Sequence, residues 1–300
     1  MKTLLLGKDG QVGWELQRAL APLGELVAIG SKTLNITDAD GLRAAVRDAA
    51  PSAIVNAAAY TAVDKAEGDA DTARRVNGDA VGVLAAEASR IGAWLVHYST
   101  DYVFDGTKTT PYIEQDPPRP LSVYGSTKLE GEEAIRRTHE RHVIFRTSWV
   151  YGARGGNFPK TMLRLAKERA ALRVVADQCG APTSAELIAD VTALVLYRIA
   201  RSEAPEASAG TYHLVAGGET NWCDYARYVV RLAIERGAAL KCTPERIEAI
   251  ATEEYPVAAA RPRNSRLDTA KLHATFDITL PDWRYHVRRL VDELNFQGML

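Results

Sequence analysis

The feature that most constrains this chain is a rhythm. Through its first 150 residues, short apolar runs alternate with amphipathic segments of helix length. Lys2–Leu6, Glu25–Ile29, Ala53–Asn56, Ala93–Ser99 and His142–Thr147 read as buried strands. Between them, Gln11–Ala21, Asp38–Ala49, Ala70–Arg90 and Leu121–Arg137 read as helices, the first stopped near Pro22 and the second capped at Thr37 or Asp38. Strands separated by helix-length crossovers pair in parallel, so the pattern predicts an α/β fold with a doubly wound, Rossmann-like parallel sheet. The second half is less regular. Phe158–Lys167, Ala185–Ile199, Asp224–Arg236 and Trp283–Leu294 read as helices and Thr211–Val215 as a strand. We therefore expect residues 1–150 to form the sheet domain and 151–300 to form mainly a second, smaller lobe. The 185–199 helix is free to return to the first domain.

Composition removes several function classes. A formal net charge of -1 over 300 residues leaves no basic footprint for nucleic acid. No apolar stretch approaches the roughly 18 residues of a membrane span. The opening run Met1–Lys8 meets a charge before it reaches the about 7–15 apolar residues of a secretory leader. Cys179, Cys223 and Cys242 show no paired spacing, which suits reduced thiols and a cytoplasmic location. The histidines form no HExxH pattern, and neither a GxSxG elbow nor a P-loop lysine is present.

Three local patterns carry chemistry. Gly7-Lys8-Asp9-Gly10-Gln11-Val12-Gly13 joins the first strand to the first helix. Glycines let the backbone approach a pyrophosphate, and the helix N-terminus offers free N–H groups. Asn56-Ala57-Ala58-Ala59 ends the third strand with residues small enough for a cofactor to lie against them, or simply for tight packing. Tyr124 and Lys128 stand four residues apart, on one helical face. An ammonium near a phenol favours the phenolate, so Lys128 is expected to lower the Tyr124 pKa and to tune it for proton exchange. Thr100, closing the fourth strand, faces the crevice where open α/β sheets bind ligands, or caps a turn there.

A glycine turn after strand one, a hydroxyl after strand four and YxxxK on the next helix together resemble the extended branch of the short-chain dehydrogenase/reductase superfamily. Within that branch the chain is most similar to the dTDP-4-dehydrorhamnose reductase family. Matching stretches are Gly7–Gly13, Val55–Lys65, His97–Phe104, Tyr124–Lys128, Phe145–Tyr151, Asp177–Thr183, Thr211–Ala216 and Arg261–Leu267. The resemblance implies hydride transfer from a reduced nicotinamide cofactor to the C4 ketone of a dTDP-linked deoxysugar. Residues 1–150 would then bind the dinucleotide, and the second lobe the nucleotide sugar. It implies that Tyr124 donates the proton, that Lys128 tunes it and holds the nicotinamide ribose, and that Thr100 shares the oxygen. Gly7, Gly10, Gln11, Val12, Gly13 and Ala57 to Ala59 would bind cofactor. Asp101, Tyr102 and Trp149 would join Thr100 and Tyr124 at the sugar. Arg261 and Arg263 are suited to a pyrophosphate, since guanidinium pairs with it bidentately. Glu15, Glu186 and Glu293 match positions where some family members bind magnesium in a homodimer. An epimerase or dehydratase on the same scaffold, or a non-catalytic regulatory subunit, are the rival readings.

Cofactor choice turns on the end of the second strand. An NAD site normally carries an acid there for the ribose 2′-hydroxyl. This chain has Gly30-Ser31-Lys32, and Asn35-Ile36 where relatives carry an Asp before an apolar residue. Ser31 and Lys32 suit a 2′-phosphate, which predicts NADPH, with NADH accepted as the alternative.

Overall fold

A computed structural model describes residues 1–300. The first half runs β1 (Thr3–Leu6), α1 (Gln11–Leu20), β2 (Leu26–Ile29), α2 (Ala39–Ala49), β3 (Ala53–Asn56), α3 (Val63–Ala66), α4 (Ala70–Arg74), α5 (Ala80–Ile91), β4 (Trp94–Thr100), α6 (Val123–Thr138) and β5 (His142–Thr147). Asp38 caps α2 by accepting from the Gly41 N–H at 3.1 Å. Between α4 and α5 the helix widens into a π-helical stretch, Arg75–Asp79.

The remainder runs β6 (Val150–Tyr151), α7 (Phe158–Glu168), β7 (Leu172–Val175), β8 (Cys179–Gly180), β9 (Thr183–Ser184), α8 (Ala185–Arg201), β10 (Gly210–His213), β11 (Thr220–Asn221), α9 (Trp222–Glu235), β12 (Ile247–Ile250), α10 (Ala270–Phe276) and α11 (Trp283–Phe296).

The main sheet has the order β10-β5-β4-β3-β1-β2, with every pairing parallel. Strand order reverses beside β1, which opens a crevice at the carboxyl ends of the strands. Successive residues feed opposite faces, as strand geometry requires. Leu5, Val55, Val96 and Phe145 join a core with α1, α8 and α11. Leu4, Leu6, Ile54, Leu95 and Ile144 join another with α2, α5 and α6.

A separate small core, with Met162, Leu172, Val174, Cys223, Val230 and Ile247, lies under α7, α9, β7 and β12. That cluster makes the second lobe a unit of its own. Two segments of the second half nonetheless belong to the sheet layer. Helix α8 packs on α1, and the strand expected at Thr211–Val215 forms at Gly210–His213 beside β5. Two segments beyond residue 150 thus join the sheet layer: β10 supplies the hydrogen-bonding partner that the edge of β5 needs, and α8 covers apolar surface beside α1. No helix is long and apolar enough to cross a membrane.

Candidate active site

At the first strand–helix junction the backbone makes its turn with Gly7 at φ 79°, a conformation that favours glycine. The Gly7 and Lys8 N–H groups donate to the Ile29 carbonyl at 2.9 and 3.2 Å. That ties the turn to the end of β2. A β-carbon on Gly7 would lie 2.5 Å from the Ala58 nitrogen, and one on Gly13 would strike the Gly7 carbonyl. The turn, β3 and α1 are therefore in backbone contact, which only glycines permit. Beside this junction lies a cleft of about 380 Å³. Gly7, Gly10, Ser31, Asn35, Ile36 and the three alanines, Ala57 to Ala59, line it. Small side chains, an open helix N-terminus and an apolar floor fit a dinucleotide. Gln11 and Val12 open α1 behind the turn, and the Gln11 side-chain Oε1 accepts from the Asn157 side-chain amide at 2.9 Å. Lys32 is exposed and stands outside the lining of the cleft.

The Tyr124 and Lys128 pair expected to be catalytic sits one strand further along. Ser122 caps α6 by accepting from the Gly125 N–H at 3.2 Å. Gly125 lets that first turn press on the Tyr102 carbonyl. Tyr124 is half-buried, and its ring meets Tyr102 edge-on at 5.5 Å. Lys128 is buried and donates to the Tyr98 carbonyl at 2.6 Å, with His97 Nε2 at 3.2 Å. Burial pushes its ammonium down to about 8, against the pull of Glu132.

For Tyr124 the expected lowering is reversed. Burial pushes the phenol up to about 12; the nearby Thr100 hydroxyl opposes the rise and the Asp101 charge adds to it. The Lys128 ammonium makes its hydrogen bonds with β4, at the Tyr98 carbonyl and His97. Thr100 Oγ1 donates to Asp101 Oδ1 at 3.0 Å and accepts from the Tyr102 N–H. The Asp101 carboxyl is buried, and its Oδ2 has no partner within the protein. Burial lifts it to about 6, while the nearby Ser265 hydroxyl and the Thr100 hydrogen bond oppose that rise.

A glycine-lined cleft at the ends of β1 to β3 thus stands in one sheet with a half-buried Tyr124, a buried Lys128 and a strand-end hydroxyl. The family described as the RmlD substrate binding domain matches residues 1–296. The chain belongs to that family. It is 50% identical over 298 residues to the dTDP-4-dehydrorhamnose reductase of Escherichia coli (strain K12), covering 98% of both chains. Identity to the Shigella flexneri protein of the same name is 51%, with the same coverage. A crystal structure of dTDP-4-dehydrorhamnose reductase from Bacillus anthracis, in complex with NADP, matches with a TM-score of 0.86 at 34% identity. That match covers 98% of this chain and all of the other.

The other expected site residues fall in several places. Trp149 follows β5 at a left-handed φ of 50° and stacks on Trp222, ring centroids 3.6 Å apart. Gly180 leaves room for its indole. Arg261 pairs with Asp64 at 2.7 Å, bridging the 259–267 loop to α3. Arg263 pairs with Glu253 and lies 3.9 Å from Asp177. Both arginines expected to meet a pyrophosphate are therefore held by carboxylates in this state. Glu15, Glu186 and Glu293 are near enough that the charges of the last two raise Glu15 further, after burial. They form no ligand cluster within the chain, where Arg18 meets Glu15 and Arg289 meets Glu186. A metal held by one chain does not fit these partners.

Three residues near the centre escape a reading of the sequence. His97 reaches Lys128 from β4, and Asn56 meets the far side of its ring at 3.2 Å. Asn77, on the π-helical stretch, accepts from the Tyr60 N–H at 2.9 Å and donates to Thr127 Oγ1 on the catalytic helix. The alternation of β4 could have flagged His97, a basic ring at a core-facing position. Nothing in the pattern announces Asn77, whose role depends on one extra residue per turn.

Proposed function

We infer that the chain reduces the C4 ketone of dTDP-4-dehydro-β-L-rhamnose to dTDP-β-L-rhamnose. The observation that carries this is the glycine-lined cleft at the first strand–helix junction, in a chain half-identical to reductases of that name, with Thr100 closing β4 and Tyr124 and Lys128 on one face of α6. The reduced nicotinamide, NADPH by the argument from Ser31 and Lys32, supplies the hydride when bound. Gly7, Gly10, Gly13 and the three alanines, Ala57 to Ala59, would hold it.

The protein's own part is proton supply and orientation. A phenol pushed up to about 12 stays protonated at neutral pH, so Tyr124 is loaded to donate as the C4 oxygen gains charge. Thr100 shares that oxygen and fixes its direction. Asp101 Oδ2, buried without a partner, is open to a sugar hydroxyl. Trp149 offers the sugar a flat wall and one N–H donor. Lys128 holds the ribose and keeps Tyr124 in place. Purified protein given this substrate should oxidise NADPH in step with ketone consumed, followed by cofactor absorbance. Turnover without net oxidation would favour an epimerase or dehydratase. No turnover at all would favour a regulatory subunit.

The reading extends to a homodimer. Trp14, Leu194, Tyr197 and Tyr285 are exposed on the neighbouring helices α1, α8 and α11. Light scattering with and without a chelator should give twice the chain mass, and a monomer in both would remove the dimer.

A further inference from the structure

Resting on the cofactor reading above, we propose that Asp9 sets the balance between NADH and NADPH, acting from the glycine turn as the acid that the end of β2 lacks. The strand ends in Ile29 and is followed by Gly30, Ser31 and Lys32, none of them acidic. The space over Gly30 is nevertheless filled. A β-carbon built there would run into Asp9 Oδ2 and lie 2.9 Å from Asp9 Cγ. So a carboxylate stands where a side chain at position 30 would begin, delivered by a different segment.

Its position is fixed by the backbone. Gly7 and Lys8 donate to the Ile29 carbonyl, and the Gly10 N–H donates to the Gly7 carbonyl at 3.1 Å. From the second half of the chain, Arg154 donates to the Asp9 carbonyl at 3.3 Å while its guanidinium lies 4.0 Å over the Trp14 ring. The Asp9 carboxylate itself makes no hydrogen bond or ion pair in the protein, and Asp9 lines the cleft together with Gly30, Ser31 and Asn35. An unengaged carboxylate at this corner accepts from a ribose hydroxyl and repels a 2′-phosphate. Lys32 and Ser31 pull the other way. Opposed determinants make the enzyme accept both cofactors, with Asp9 as the one that favours NADH.

The test is equilibrium binding of NADH and of NADPH to the substrate-free protein, read by nicotinamide fluorescence. Asp9→Asn keeps the shape and removes the charge. It should weaken NADH about tenfold, the loss expected for a hydrogen bond to a charged group. NADPH should bind as before or more tightly. The double variant Asp9→Ala/Gly30→Asp moves the carboxylate to the strand end. Gly30 has no left-handed φ, so it accepts a side chain once Asp9 is cleared, and most of the lost NADH affinity should return. Equal changes for both cofactors in Asp9→Asn, or none, would overturn the assignment. If the double variant melts early, the Asp9→Asn comparison decides alone. Wild-type protein that binds neither dinucleotide would instead overturn the functional reading, and this inference with it.

Discussion

The two ends of the cleft are built from different materials. At the cofactor end, backbone meets backbone: Gly7 against Ala58 and Gly13 against Gly7, with no room for one added carbon. Where the substrate is expected, loops are held by side chains: Arg261 to Asp64, Arg263 to Glu253, Trp149 against Trp222. Gly7 and Gly13 in the backbone-built end cannot take a side chain without the backbone moving. A side-chain-built end tolerates change pair by pair, and its charges can be handed to a ligand. The difference suits an enzyme whose cofactor is generic and whose substrate is particular.

Tyr124 stands where the ends meet, so its loss should give the largest effect. Tyr124→Phe should lower turnover by about 10²–10⁴-fold, the usual share of general acid catalysis. Cofactor affinity should stay level. A parallel loss of affinity in titrations would mean that the tyrosine belongs to the cofactor end instead.

Gly13→Ala comes next. The new methyl meets the Gly7 carbonyl, so backbone must move and stability should fall by about 1–3 kcal/mol. Denaturant titration measures this, and weakened cofactor binding should accompany it. A variant as stable as wild type would break the contrast between the ends. Arg263→Ala should sit at the small extreme. Its partners are exposed, and such pairs are worth roughly 0–1 kcal/mol. The same titration should barely register it, whereas KM for the nucleotide sugar should rise if the guanidinium is released to the pyrophosphate.

The cofactor end was legible in the sequence because its signals are local. Gly7, Gly10 and Gly13 sit within one turn, and strand alternation marks the sheet that carries them. The substrate end was legible only in part. Tyr124 and Lys128 declare themselves by spacing, but the partners of Arg261 and Arg263 lie far off in the chain or on another loop, and no local pattern reports them. The direction of the Tyr124 pKa shift is not legible either: a four-residue spacing puts Lys128 on its face of α6, but the shift follows from burial of the phenol, which no spacing reports. Asp9 lies inside the glycine motif, yet its nearness to Gly30 depends on how β1 and β2 pair.

A smaller effect reads the buried acid of the substrate end. Because folding lifts Asp101 from the ordinary carboxylate range to about 6, the folded state favours its protonated form. The stability this adds is fully present below about pH 4 and is lost as pH rises through about 6. Asp101→Asn cannot ionise, so thermal melts should show the wild type losing ground to the variant across that window. Parallel melting curves would place the charge in solvent.

The central claim is net hydride transfer to the sugar, and isotope transfer tests it most directly. NADPH dideuterated at nicotinamide C4 should place one deuterium at C4 of the product sugar for each cofactor oxidised, as mass spectrometry and NMR would record. Product lacking the label, or formed with the added cofactor still reduced, would contradict the account.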